Sequence, residues 1–213
     1  MSEKLNHRYS EKEERLNVLS HGLGLLLSII AFPLLLQKSF EYDTFWKGVS
    51  LVIYGISMIV LYAASTFYHA AKEPKLRRKL NIFDHAAIYV LIAGTYTPFC
   101  LLVLSQNLGW YLFIVVWIFA LTGVVLKLFF TGRFNKLSTA LYLLMGWQIV
   151  FLIKPLIDSF SSEGLFYLFL GGFFYTVGAI FYSIKKLKYN HATFHVFVLL
   201  GSLSHFIAVY FCI

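Results

Sequence analysis

Runs of about 20 apolar residues return seven times along this chain, each long enough to cross a hydrocarbon core of ~30 Å as a helix. They cover approximately Val18–Gln37, Val49–Ala70, Phe83–Leu104, Trp110–Phe130, Leu137–Leu156, Leu165–Ile184 and His191–Ile213. Lipid offers no water to backbone N–H and C=O groups, so each run must satisfy its own hydrogen bonds as an α-helix. The connections, Lys38–Lys47, Lys72–Asn81, Ser105–Gly109, Thr131–Lys136, Asp158–Gly164 and Lys185–Asn190, are long enough only for hairpin turns between neighbours. The fold class that follows is all-α: a seven-transmembrane-helix bundle over residues 18–213 behind an N-terminal tail, residues 1–17. Composition agrees, since only 13% of residues are charged where a soluble domain carries roughly 25%. The tail is polar, mixed in charge and free of an A-x-A cleavage pattern, so it is not read as a signal peptide. Gly94-Thr95-Tyr96-Thr97-Pro98 is expected to kink or unwind the third span, because proline removes a backbone donor.

Charge orients the bundle. Of the 18 Lys and Arg residues, all but Lys38, Lys47 and Lys154 fall in the tail or near the second, fourth and sixth connections. Positive residues stay cytoplasmic, so the N-terminus is expected in the cytoplasm and the C-terminus outside, in a multi-pass cell-membrane protein. The net charge of +8 follows from this bias and from anionic lipid nearby. Membrane lipids are therefore the expected partners. Nucleic acid is not, because no basic patch is interleaved with exposed aromatics on a soluble surface.

This orientation brings distant polar residues to one depth. His69 falls near the cytoplasmic end of the second span, with Ser65 one turn deeper. Asp84 and His85 lie near the cytoplasmic start of the third span, and His191 and His195 open the seventh. His195, seven residues past Lys188, is about 10 Å along its helix, and His21 sits at a comparable depth in the first span.

Polar groups at membrane depth are costly and point to function by default. His191 and His195 are four apart, the spacing at which one helix face offers two imidazoles to one metal ion. A third imidazole from His69 would leave a fourth tetrahedral position for water, the pattern of a catalytic zinc. Asp84 and Ser65 are then placed to hydrogen-bond that water or orient a ligand. The pair could equally snorkel to the interface or bond backbone carbonyls. Haem would need two axial imidazoles facing each other across the bundle, and fits less well. Retinal is disfavoured because the seventh span has no lysine for a Schiff base.

His205 lies about 15 Å further outward than His195 and reads as a hydrogen-bonded interior group. His85 points about 100° away from Asp84 and reads as structural. Glu14, Asn17, Ser20 and His21 form a polar stripe at i, i+3 and i+4 spacing, which suggests interhelical hydrogen bonds. Cys100 and Cys212 fall near the outer face, away from the histidines, and read as two apolar thiols.

Glu14-Arg-Leu-Asn17-Val-Leu-Ser20-His21-Gly-Leu-Gly24, Ser65-Thr-Phe-Tyr-His69, Asp84 followed by GTYTPF, and His191-Ala-Thr-Phe-His195 run from the first span to the last. In that order and spacing they resemble the progestin and adipoQ receptors, in the bacterial hemolysin III branch. The resemblance implies a bacterial plasma-membrane protein of seven helices, with a zinc held by His69, His191 and His195 near the cytoplasmic side. It places Ser65 and Asp84 beside the zinc-bound water. The short tails depart from the eukaryotic receptors. The wider superfamily includes alkaline ceramidases, membrane hydrolases of lipid amides, while bacterial members are linked to haemolysis and to membrane lipid homeostasis. Three readings follow: a zinc-dependent hydrolase of a lipid amide or ester, a membrane sensor or receptor, and a pore-forming cytolysin. Residues favour the first. A pore needs polar stripes along whole spans, and the outer halves here are nearly unbroken Leu, Ile, Val and Phe.

Overall fold

The structure is a computed structural model that describes residues 9–131 and 135–213. Lys4, Arg8 and Arg133, which enter the charge argument, lie outside those residues. Among the described residues every regular element is helical. The elements are α1 (Glu11–Ser39), α2 (Phe45–Ala70), α3 (Pro74–Pro98), α4 (Gln106–Phe130), α5 (Asn135–Gly146), α6 (Ile153–Ser159), α7 (Ser162–Ser183) and α8 (Asn190–Cys212). Seven segments are long and apolar enough to cross a membrane, the fifth being Leu137–Ser159, which combines α5 and α6. Large side chains such as Leu19, Ile30, Ile118 and Phe151 stay exposed on its outer surface, as expected where lipid replaces water.

Helix α1 begins at Glu11, not at Val18, so residues 11–17 of the expected tail are helical. Ser10 starts it early: its hydroxyl accepts from the Glu13 N–H at 3.2 Å, and Glu11, Glu13 and Glu14 face the positive end of the helix dipole. Helix α3 likewise starts at Pro74 inside the expected loop. Pro74 takes the first helical position, where no donor is lost, and the Glu73 carboxylate accepts from the Lys75 and Leu76 N–H groups.

Two spans are broken. The third loosens into a π-helical turn, Phe99–Val103, directly after Pro98. The fifth passes from α5 into a 3₁₀ stretch, Gln148–Leu152, before α6. Both breaks meet at Tyr96. Its hydroxyl donates to the Gly146 carbonyl at 2.7 Å and accepts from the Ile149 N–H at 2.9 Å. Irregular backbone at membrane depth survives only where protein groups satisfy it.

Helices α1, α2 and α3 pack in sequence, and α8 closes on α1 at one side and α7 at the other. Gly24 lets α1 approach the Tyr62 ring of α2, where a Cβ would have no room. Helix α5 touches α3 and α7 only lightly, and a cavity of roughly 160 Å³ lies behind it. Because successive spans alternate in direction, the starts of α1, α3 and α8 share one end of the bundle with the end of α2.

Candidate metal centre

At that shared end, His69 closes α2 while His191 and His195 occupy the first turns of α8. All three are buried, and one ligand atom from each lies within 4.8 Å of the others. The turn before α8 is held tightly: Tyr189 takes a left-handed conformation with φ 59°, and the Asn190 amide donates to the Tyr182 carbonyl at 3.0 Å. That bend delivers His191 directly into the bundle. Its N–H donates to the Glu13 carboxylate at 3.3 Å, and its ring stacks on Tyr9 with centroids 4.6 Å apart.

Helix α1 fixes the orientation of the other two rings. His69 Nδ1 lies 2.7 Å from Glu14 Oε2 and 3.3 Å from the Asn17 amide nitrogen. The shorter contact, to a carboxylate, takes the ring proton, leaving a lone pair on Nε2. Arg77 holds the other carboxylate oxygen of Glu14 and donates to the Ala71 carbonyl at 3.2 Å. In turn, Ser20 donates its hydroxyl proton to the Asn17 carbonyl at 3.1 Å. The Ser20 oxygen is therefore free to accept from His195 Nδ1, 3.4 Å away, which again leaves Nε2 as the lone-pair nitrogen. His69 Nε2 stands 3.1 Å from His191 Nε2. A lone pair aimed at a second ring nitrogen at that distance needs a proton or a cation between them, and the donor set of three neutral imidazoles fits a divalent metal ion.

Two rings of the triad, those of His191 and His195, face the cavity behind α5, whose wall also includes Ser65 and Asp84. Ser65 Oγ is buried and has no hydrogen-bond partner. Asp84 is buried, with His85 Nδ1 3.7 Å from its carboxylate. The same holds for His21 as for Ser65: both ring nitrogens are buried without partners, and its ring stacks on His195 with centroids 3.5 Å apart. Three buried polar atoms without partners beside a histidine triad mark a place built for something polar to occupy.

His205 sits elsewhere, its Nε2 3.0 Å from the Leu168 carbonyl, and His85 Nδ1 lies 2.8 Å from the Asn81 carbonyl. Both are thus engaged with backbone, and neither belongs to the triad, although both line the same cavity. Cys100 and Cys212 are free thiols. The α1 polar stripe reaches across to α2 and α8 through Glu14, Asn17 and Ser20. Sequence reasoning passed over Glu13 and Tyr9, which hold His191, and gave Lys127 no role beyond its charge. The acidic first turn after Ser10 was the available signal for Glu13.

A family model for haemolysin-III related proteins matches residues 9–206. The chain belongs to that family. It is an integral, multi-pass membrane protein, and the resemblance carried by its motifs is borne out. "Hemolysin-3 homolog" of Bacillus subtilis (strain 168) is 48% identical over 203 residues, covering 95% of each chain. "Hemolysin-3" of Bacillus cereus is 45% identical over 200 residues, covering 94% of this chain and 91% of the relative. The match extends to human "Monocyte to macrophage differentiation factor", 26% identical across 96% of this chain and 87% of that one. No solved structure matches significantly.

Proposed function

We propose that this haemolysin-III family member holds a zinc ion on His69, His191 and His195 and hydrolyses an amide or ester bond of a membrane lipid there. The observation that carries the reading is the histidine triad, its His69 Nδ1 bound by Glu14 and its His191 and His195 set in the wall of a cavity that Ser65 and Asp84 also line. Zinc–nitrogen bonds of ~2.0–2.1 Å put tetrahedral neighbours about 3.3 Å apart, close to the 3.1 Å between the facing nitrogens of His69 and His191. Zinc held there supplies Lewis-acid polarisation of a carbonyl and activation of water near neutral pH.

The chain's own groups do the rest. Glu14 and Ser20 keep their imidazoles in the tautomer that points Nε2 inward. Asp84 accepts a proton from the attacking water and returns it to the leaving group, the usual general acid–base role. Ser65, whose hydroxyl lacks a protein partner, steadies the water or the substrate carbonyl. Leu91, Ile92, Leu143 and Val198 line the cavity further in and accept an acyl chain while excluding water. We further propose that this end of the bundle faces the cytoplasm, following the lysine and arginine bias, so that a lipid presents its head there with its tail in hydrocarbon.

Two other readings have support. A lipid sensor would use the same cavity without turnover. The names of the Bacillus relatives favour a cytolysin. A panel of ceramides and other N-acyl lipids, assayed with wild type and Asp84→Asn protein in liposomes, separates them. Zinc-dependent release of fatty acid by wild type alone supports the hydrolase. Equal, zinc-independent background from both ends it, and lysis of erythrocytes by the purified protein would favour the cytolysin.

A further inference from the structure

Helix α4 buries one narrow stripe, Leu112, Val116, Ala120, Gly123 and Lys127, at the three- and four-residue spacing of a single helix face. The stripe is apolar until its last member. A lysine in the last turn of a span ordinarily snorkels its ammonium outward to the headgroup layer. Lys127 does not: it is 3% exposed, in register with a face pressed onto α3. The packing one turn earlier fixes that register, since a Cβ on Gly123 would stand 2.5 Å from the Tyr89 ring. The Lys127 ammonium donates to Ser138 Oγ at 2.6 Å and stands 5.9 Å from the centre of the Tyr142 ring. Among the described residues no carboxylate comes within ion-pair distance of it.

A buried ammonium with no carboxylate beside it is unfavourable, and an incoming anion relieves that cost. Lys127 and Ser138 both line the cavity that also holds Ser65, Asp84 and His195. The chain therefore places a lysine ammonium in the wall of the same chamber, which Leu91, Ile92, Leu143 and Val198 also line.

We propose that Lys127, seconded by Ser138, is an anion-binding subsite, and that the lipid entering the cavity carries an oxyanion at its head. The chemistry is a carboxylate or a phosphate ester borne on a single acyl chain, gripped by Lys127 while the chain lies along the apolar wall. This deepens the lipid reading above and rests on it for the acyl chain. It narrows the substrate class from lipid amides and esters in general to anionic ones.

The test measures binding, not turnover. Full-length protein in a non-ionic detergent is titrated with three spin-labelled probes: stearate, its methyl ester and a stearoyl lysophosphatidate. Quenching of tryptophan fluorescence reports occupancy, because Trp147 lines the cavity. Wild type should bind at least one anionic probe roughly 10–100-fold more tightly than the methyl ester, the range for a charge-assisted hydrogen bond. In Lys127→Met that ratio should fall to about one with methyl-ester affinity unchanged, and Lys127→Arg should restore most of it. If Lys127→Met fails to fold, Lys127→Gln is read the same way. A carboxylate can also reach a metal, so the ratio is measured again after chelation and in His191→Ala, where it should persist. A ratio near one in wild type, an undiminished ratio in the neutral variants, or a ratio that disappears with the metal overturns the subsite. Absence of hydrolysis with the ratio intact would remove the proposed reaction and leave the subsite standing.

Discussion

Glu14 is the residue on which the candidate centre turns, because it binds His69 Nδ1 at 2.7 Å and is itself held by Arg77. Outer carboxylates of this kind orient a ligating imidazole and raise its basicity. Glu14→Gln should therefore weaken zinc binding by roughly 10–100-fold, measured by competition with a chelator of known affinity, while the helical far-ultraviolet spectrum stays unchanged. Asp84→Asn should behave oppositely, keeping the metal and losing turnover by roughly 10²–10⁴ if Asp84 is the general base. Steady-state rates and metal content measured on the same preparation check both. The triad was legible in the sequence because i, i+4 spacing and shared depth need only helix geometry and a count of loop charges. Glu13 and Tyr9 were not, since their contacts with His191 exist only once α1 starts at Glu11 and α8 folds back beside it.

Among the elements, the fifth span leans on a side chain from another helix. At its break between α5 and α6 the Tyr96 hydroxyl serves the Gly146 carbonyl and the Ile149 N–H. Tyr96→Phe should cost about 1–3 kcal/mol, the penalty for leaving a buried polar group unsatisfied. Unfolding in mixed micelles should read this as a fall in stability, with greater protease sensitivity near Gly146. Loss of less than a few tenths would mean that the break is satisfied by other means. The loosening of the third span was readable from Pro98, whose ring cannot donate. The break in the fifth was not, because Leu137–Leu156 reads as one largely apolar run, with Ser138, Thr139, Gln148 and Lys154 scattered through it, and periodicity does not distinguish one helix from two collinear pieces. Helix α1 shows a related limit: hydropathy marks where a helix enters lipid, while capping at Ser10 decides where it begins.

For the whole molecule, the proposed orientation predicts that a cysteine placed at Arg77 is labelled from the cytoplasmic side and one at Asp158 only from outside. Labelling of position 158 from the cytoplasm alone would reverse the bundle and move the histidines to the other face. Seven helices and their order follow from hydropathy and length, which act on each span separately. How α8 closes on α7 depends on small-residue contacts, such as those of Gly178 with Phe197 and Gly201 with Tyr175, that no single segment encodes. With α1 packed on α2 at Gly24 and Tyr62, and α8 on α1, one centre is assembled from His69 and the His191–His195 pair. Elemental analysis of the purified protein tests that centre most directly. Wild type should carry one zinc per chain, most of it lost in His69→Ala, His191→Ala or His195→Ala and retained in His205→Ala. A His191→Ala protein that keeps its full zinc would contradict the assignment.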